Sequence, residues 1–191
     1  MNVSLIPYIV LILMGAAWGL SIPLTKITVS TGYGQFGLIF WQFVIAVIVL
    51  GFMLLVRRKR PIFERKTIFL FIVLALLGTI FPNSASYVAT YYLPASFIAI
   101  LIATVPMFSF PMAMLMGLEK KDLRRISGLF IGLLGVVILT APAASFPDRH
   151  LLIFIPLALL APFFYAIEGN YVDKYGTAGQ DPIQTFTGAS I

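Results

Sequence analysis

Glu168 is the only acidic residue well inside an apolar stretch of this chain, and that isolation gives it chemistry to consider. It lies about 17 residues from Leu151, roughly 25 Å along a helix that rises about 1.5 Å per residue. A carboxyl in such a place can exchange a proton or pair with a cationic solute, because polar groups among lipid are costly and default to a functional role. The competing reading is an interfacial carboxylate that reaches water beside Asp173 and Lys174, and both stand at this level. Other polar groups join it. Asn83 and Tyr87 are spaced i, i+4 and share a helix face. With Ser84 and Ser86 they could form a hydrogen-bonding wall. Gln42 beside Trp41, and Trp18 with Ser21, could face the same space. Pro106, in the middle of another apolar stretch, removes a backbone donor and can open a helix locally. For each of these, helix-to-helix bonding or packing competes with contact to a solute. Lys26 reads best as an anchor whose stem snorkels to an interface.

The chemistry that is missing narrows the field. The chain has no cysteine, so it holds no disulfide framework, thiol catalyst or cysteine-based metal site. The sole histidine, His150, follows Asp148 and Arg149 in a loop and reads as solvated. No HExxH pattern, phosphate-cradling loop or nucleophile elbow occurs. The reading is therefore of a non-enzyme with no cofactor and no metal.

The elements that must position these residues are apolar runs of about Leu5–Thr25, Gly37–Val56, Thr67–Val88, Ala95–Gly117, Ile126–Ala141 and Leu151–Val172. About 20 apolar residues span a hydrocarbon core of about 30 Å. Hydrophobic residues make up 60% of the chain and charged residues 10%, far from a soluble composition. The fold class expected is an all-α integral membrane bundle with about six transmembrane helices. The net charge of +6 does not spread over a face fit for nucleic acid. It collects at Arg57–Arg60, Arg65 and Lys66, and again at Lys120, Lys121, Arg124 and Arg125, in every second connection. The positive-inside rule puts those turns, the N-terminus and the Asp173–Asp181 connection in the cytoplasm. The first run lacks a basic leader region and reads as a retained helix.

Irregularity is expected inside the helices. Pro23, Pro82, Pro106, Pro111, Pro156 and Pro162 fall within or near the ends of runs, and Pro106 with Pro111 mark the expected bend. Gly128, Gly132 and Gly135, and Gly15 with Gly19, form small-residue faces that permit close helix approach. An aromatic followed by a small residue recurs late in run one (Trp18-Gly19) and run six (Tyr165-Ala166). If run six restarts the pattern, the repeat has five crossings and its second copy is inverted.

An ordered set of features resembles the drug/metabolite transporter superfamily, EamA type. Tyr91-Tyr92-Leu93-Pro94-Ala95-Ser96 leads to Ala99 and Pro106. Gly117-Leu118-Glu119-Lys120 closes that span, and Gly128, Gly132 and Gly135-Val136 mark the next. Trp18-Gly19-Leu20-Ser21-Ile22-Pro23 resembles the family's opening helix. The resemblance implies a first five-helix repeat over residues 1–142. Residues 143–191 would then start an inverted second repeat, truncated just into a seventh helix of ten. It further implies a secondary carrier, commonly an exporter of metabolites, amino acids or drugs. Such a carrier works by alternating access in the cell (inner or plasma) membrane. The partners expected are a small-molecule solute and the lipid bilayer, with no nucleic acid. A homodimer, or dependence on the missing second repeat, is also open. Trp41-Gln42-Phe43 stands where relatives often carry an arginine. Glu119, beside two lysines, reads as a cap or ion-pair partner. The alternative is a non-transporting scaffold, or a half-unit that works only with a partner.

Overall fold

The computed structural model describes residues 5–140 and 149–191, and all regular structure among them is helical. Apolar runs of this length become helices because lipid offers no partner for backbone polar groups, which must be satisfied within the segment. Helix α1 runs Ile6–Ser30 and α2 Gln35–Val56. Helix α3 (Arg65–Ala75) passes through a π-turn, Leu76–Ile80, into α4 (Phe81–Tyr92). Helices α5 (Ala95–Ile102) and α6 (Val105–Leu115) form one broken rod. Helix α7 covers Leu123–Thr140; a short 3₁₀ turn, Arg149–Ile153, leads into α8 (Phe154–Tyr175), and α9 is Pro182–Ser190.

Five of these segments are long and apolar enough to cross a membrane: Ile6–Ser30, Gln35–Val56, Arg65–Tyr92, Ala95–Leu115 and His150–Tyr175. The fifth expected run forms α7, which is not among those five. Its expected end at Ala141, and the repeat boundary at 142–143, lie outside the described residues. Other ends move too, run one continuing to Ser30. Run three continues to Tyr92, which leaves only Leu93 and Pro94 as the turn into α5, and run six continues to Tyr175.

The prolines act locally and differently. Pro82 cannot supply the N–H that the Gly78 carbonyl would bond in a regular helix, and the π-turn lies immediately before it, where the Phe81 N–H reaches the Leu76 carbonyl. The break in the fourth span falls at Ala103–Thr104, and Pro106 begins the helix that resumes there. Thr104 Oγ1 donates to the Leu101 carbonyl at 2.6 Å, satisfying a backbone acceptor at that break. Pro111, by contrast, sits within α6 without ending it.

Helix α8 lies antiparallel to α4. Tyr92 stacks on Phe154 at one end (centroids 3.9 Å apart), and Phe81 meets Phe164 nearer the other. Ala85 and Ala89 of α4, and Ala158 and Ala161 of α8, are buried, so small side chains allow the two backbones to approach. Leu93, Phe97, Ile98 and Leu101 extend this core into α5. Of the expected small-residue faces, Gly132 alone meets a neighbour: a methyl group there would lie 3.1 Å from Met107 Cε. Gly15, Gly19, Gly128 and Gly135 have no such neighbour within 4 Å.

The short helix α9 is fastened to the α2–α3 connection. Asp181 caps α9, its Oδ1 accepting the Gln184 N–H at 3.0 Å, while its Oδ2 takes Lys59 Nζ at 2.9 Å. Gln184 Nε2 donates to the Arg60 carbonyl, and Gln180 Oε1 accepts the Ile62 N–H. Deeper in, Gly188 abuts the Phe71 ring so closely that any Cβ would collide with it. Gly188→Ala is therefore expected to cost about 1–3 kcal/mol by overpacking, read as a lower unfolding midpoint in detergent, with Phe71→Leu in the same chain recovering most of it. The Lys59 ammonium, then the Gln184 N–H, hold the Asp181 carboxyl below the usual carboxylate range. A depressed carboxylate stabilises above its unfolded pKa, about 3.9, and that contribution is lost as pH falls through the folded value. Hydrogen exchange at the Gln184 amide, corrected for intrinsic rates, should therefore accelerate in acid, and Asp181→Asn should abolish that acid limb.

Candidate functional site

Between α1 and α2, with α4 as its floor, lies a cavity of about 600 Å³. Its size falls within the range of about 300–1,000 Å³ typical of small-molecule sites. Five of the seven candidate residues line it together: Trp18 and Ser21 from α1, Gln42 from α2, Asn83 and Tyr87 from α4. Trp41 joins them, so both tryptophans of the chain face one space. The helices explain the arrangement. Helix α1 packs on α4 and α5, while α2 packs on α4 and α9, which leaves room between them over the polar face of α4.

That polar face is wired to both sides. Asn83 Nδ2 donates to Gln42 Oε1 at 2.9 Å, and the Tyr87 hydroxyl donates to the same oxygen at 3.1 Å. On the other side, the Tyr165 hydroxyl of α8 donates to Asn83 Oδ1 at 3.1 Å. Asn83 is buried, 8% exposed, and its amide thus joins α2 to α8 through α4. The Gln42 oxygen is doubly occupied, so the group it can still offer to the cavity is its NH₂, a donor. Ser21 and Thr28 donate to carbonyls of their own helix, Trp18 and Leu24 respectively, and keep lone pairs as acceptors. Among the described residues, no Asp, Glu, Lys, Arg or His lines the cavity.

Two candidates lie elsewhere. Pro106 borders a smaller cavity of about 320 Å³ with Ser109, Glu119, Asn170 and Asp173. Glu168 is half-buried one helical turn beyond Tyr165, its carboxyl against Gly78 of the π-turn. Lys26 Nζ donates to the Thr90 and Tyr91 carbonyls, at 2.7 and 2.9 Å, at the end of the Arg65–Tyr92 span. A cation there caps the end of α4 and complements its dipole. Glu119 forms an ion pair with Arg125 at 2.7 Å, the structural role its setting suggests.

Two residues escaped the pattern reading. Tyr165 entered it only as part of a repeat, although its spacing of three from Glu168 was a signal that both share a face. Asn170, buried in α8, donates to the Ser109 hydroxyl and carbonyl and so ties α8 to α6; an amide within an apolar run was the available signal.

Known proteins decide what kind of molecule carries this cavity. The model of the EamA-like transporter family matches residues 5–141, well over half of the chain. The chain belongs to the EamA-like transporter family. It is accordingly a multi-pass membrane protein of a family that moves small solutes, within the drug/metabolite transporter superfamily. Neither the curated proteins nor the solved structures compared with it hold a match. In an EamA-type chain the Asn83 junction is an interhelical bond set in lipid, where such bonds average about 0.6 kcal/mol each. Removing its amide also takes the acceptor from the Tyr165 hydroxyl and leaves the Gln42 oxygen with Tyr87 alone. Asn83→Ala is expected to lower stability by about 1–3 kcal/mol, measured by unfolding in detergent, with Tyr165→Phe costing less.

Proposed function

We propose that this chain carries the solute-binding wall of a secondary transporter, and that its cavity takes a small, uncharged or zwitterionic solute with an apolar or aromatic part. The observation that carries this reading is the cavity's lining: two indoles, one free amide donor, several hydroxyls and no formal charge among the described residues. A strongly ionic solute would be desolvated there without a counter-charge, at a large energetic cost. An aromatic or aliphatic body can lie on Trp18 and Trp41, while Gln42 and the hydroxyls fix its polar end. Transport proceeds by alternating access, one bundle rocking against the other around the site. Export of metabolites, amino acids or drugs across the cell membrane fits this chemistry. Basic turns in the cytoplasm, and with them a cytoplasmic N-terminus, fit the charge pattern.

The test is flux in vesicles. Neutral and zwitterionic amino acids, nucleosides and aromatic drugs are the solutes to offer, against organic phosphates as charged controls. Trp18→Ala and Gln42→Leu should each reduce flux at least tenfold while leaving insertion and abundance unchanged. Equal flux in the variants, or preference for the phosphates, would overturn the reading. Orientation is checked separately, and the absence of native cysteine makes that check clean. Single cysteines in Arg57–Arg60 and Lys120–Arg125 should react with an impermeant thiol reagent only after lysis.

A further inference from the structure

Glu168 has a setting that the cavity does not explain. Gly78 is the central residue of the π-turn and stands halfway along the Arg65–Tyr92 span. At about 1.5 Å per residue it is about 20 Å from either end. A methyl group on Gly78 would lie 2.9 Å from Glu168 Cδ and Oε1, and 3.2 Å from Oε2. The carboxyl therefore occupies the notch left by the missing side chain. It makes no hydrogen bond and no ion pair among the described residues. Pro82 has no N–H to give the Gly78 carbonyl in the regular i→i−4 pattern. A protonated carboxyl is a donor; an ionised one accepts only.

We propose that the Gly78 notch and Glu168 form a proton site, coupled to the solute cavity through Tyr165. The proposal deepens the transporter reading, on which it rests for the role of the cavity. Glu168 and Tyr165 are three residues apart on α8 and share its face. The Tyr165 hydroxyl is bonded to Asn83, which holds Gln42 in the cavity wall. Loss of the proton places a charge beside Tyr165, and its hydroxyl reorients toward that charge. The bond to Asn83 then loosens and the wall changes. The step balances: the carboxylate takes one proton from solvent and later returns it to solvent, with no bond changed but its own O–H.

A metal ion suits the site less well. One carboxylate beside a glycine is far short of the six or more oxygens that a hard cation gathers, and no group of three potential metal ligands exists among the described residues. Other charges do not compete closely. On the elements packed against α8, ionisable groups sit at the span ends or in the network already described. They are Arg65 and Lys66 at the start of α3, Tyr87, Tyr91 and Tyr92 on α4, and Arg149 and His150 in the 3₁₀ turn before α8, with none on α5 or α6. Lys26 is committed to the far end of α4. On α8 itself, Tyr171, Asp173, Lys174 and Tyr175 lie toward its C-terminal end.

The experiment needs no known solute, because both tryptophans line the cavity. Their emission is recorded against pH in the reconstituted chain, together with the infrared carboxyl stretch. Wild type should show one titration step common to both signals. Glu168→Gln should lose that step in both, and Tyr165→Phe should keep the infrared step while losing the fluorescence one. Gly78→Ala, which crowds the carboxyl, should shift the midpoint, and Glu168→Asp should retain a displaced step. A step that survives in Glu168→Gln, or its absence from wild type, overturns the proposal. Should the step be present while no solute moves in vesicles, the carrier reading fails and the proton site stands. Should solute move with no pH dependence, the coupling fails and the carrier stands.

Discussion

Three helices around the cavity converge on a single buried amide. Asn83 gives its donor to α2 and its acceptor to α8, and it can do both because the π-turn and Pro82 immediately precede it. One extra residue in a helical turn rotates everything beyond it relative to everything before. Without that rotation the face of α4 that carries Asn83, Ser86, Tyr87 and Thr90 would not present itself as one wall. The constraint is thus partly covalent, a proline without an N–H, and partly electrostatic, an amide that cannot be left unpaired away from water. Apolar packing between α4 and α8 then follows, with alanines at the seam and stacked rings at its end.

Polar groups do comparable work at the helix ends. Lys26 of α1 reaches the terminal carbonyls of α4, and Lys174 of α8 reaches the Met116 carbonyl that follows α6. Each uses a cation near the end of one span to cap a neighbouring one, where the dipole favours it. Both side chains leave helices that carry an aromatic followed by a small residue about two turns earlier.

Much of the architecture was legible before any coordinates because lipid leaves few options. Apolar length predicts spans, with no need to know what packs on what. The clustering of Trp18, Ser21, Gln42, Asn83 and Tyr87 was partly legible, since an i, i+4 polar pair in an apolar run requires company. What could not be read was angular. The glycine faces were expected to pack, yet only Gly132 meets a neighbour, because spacing along one helix says nothing about which way that face turns. Pro106 was grouped with the cavity because prolines open helices. The break falls before it, however, and the residue borders a different space. The docking of α9 through Gly188 on Phe71 depends on a loop geometry that no periodicity encodes.

The separation of Glu168 from the cavity has a mechanistic consequence. A carboxyl within the solute site would make proton and solute rivals for one position, so each could bind only after the other had left. A carboxyl behind the wall, reaching it through Tyr165 and Asn83, lets both be present together, and coupling then rests on how strongly the network transmits one state to the other. Linkage requires that influence to be reciprocal: a solute that draws on Gln42 must alter proton affinity as much as the proton alters solute affinity. A chain of hydrogen bonds each worth about 1 kcal/mol can carry a coupling of roughly that size, so such a carrier would be modestly coupled, not strictly so. A tightly coupled exchange would instead need the carboxyl and the solute to touch, and the position of Glu168 against Gly78 keeps them apart.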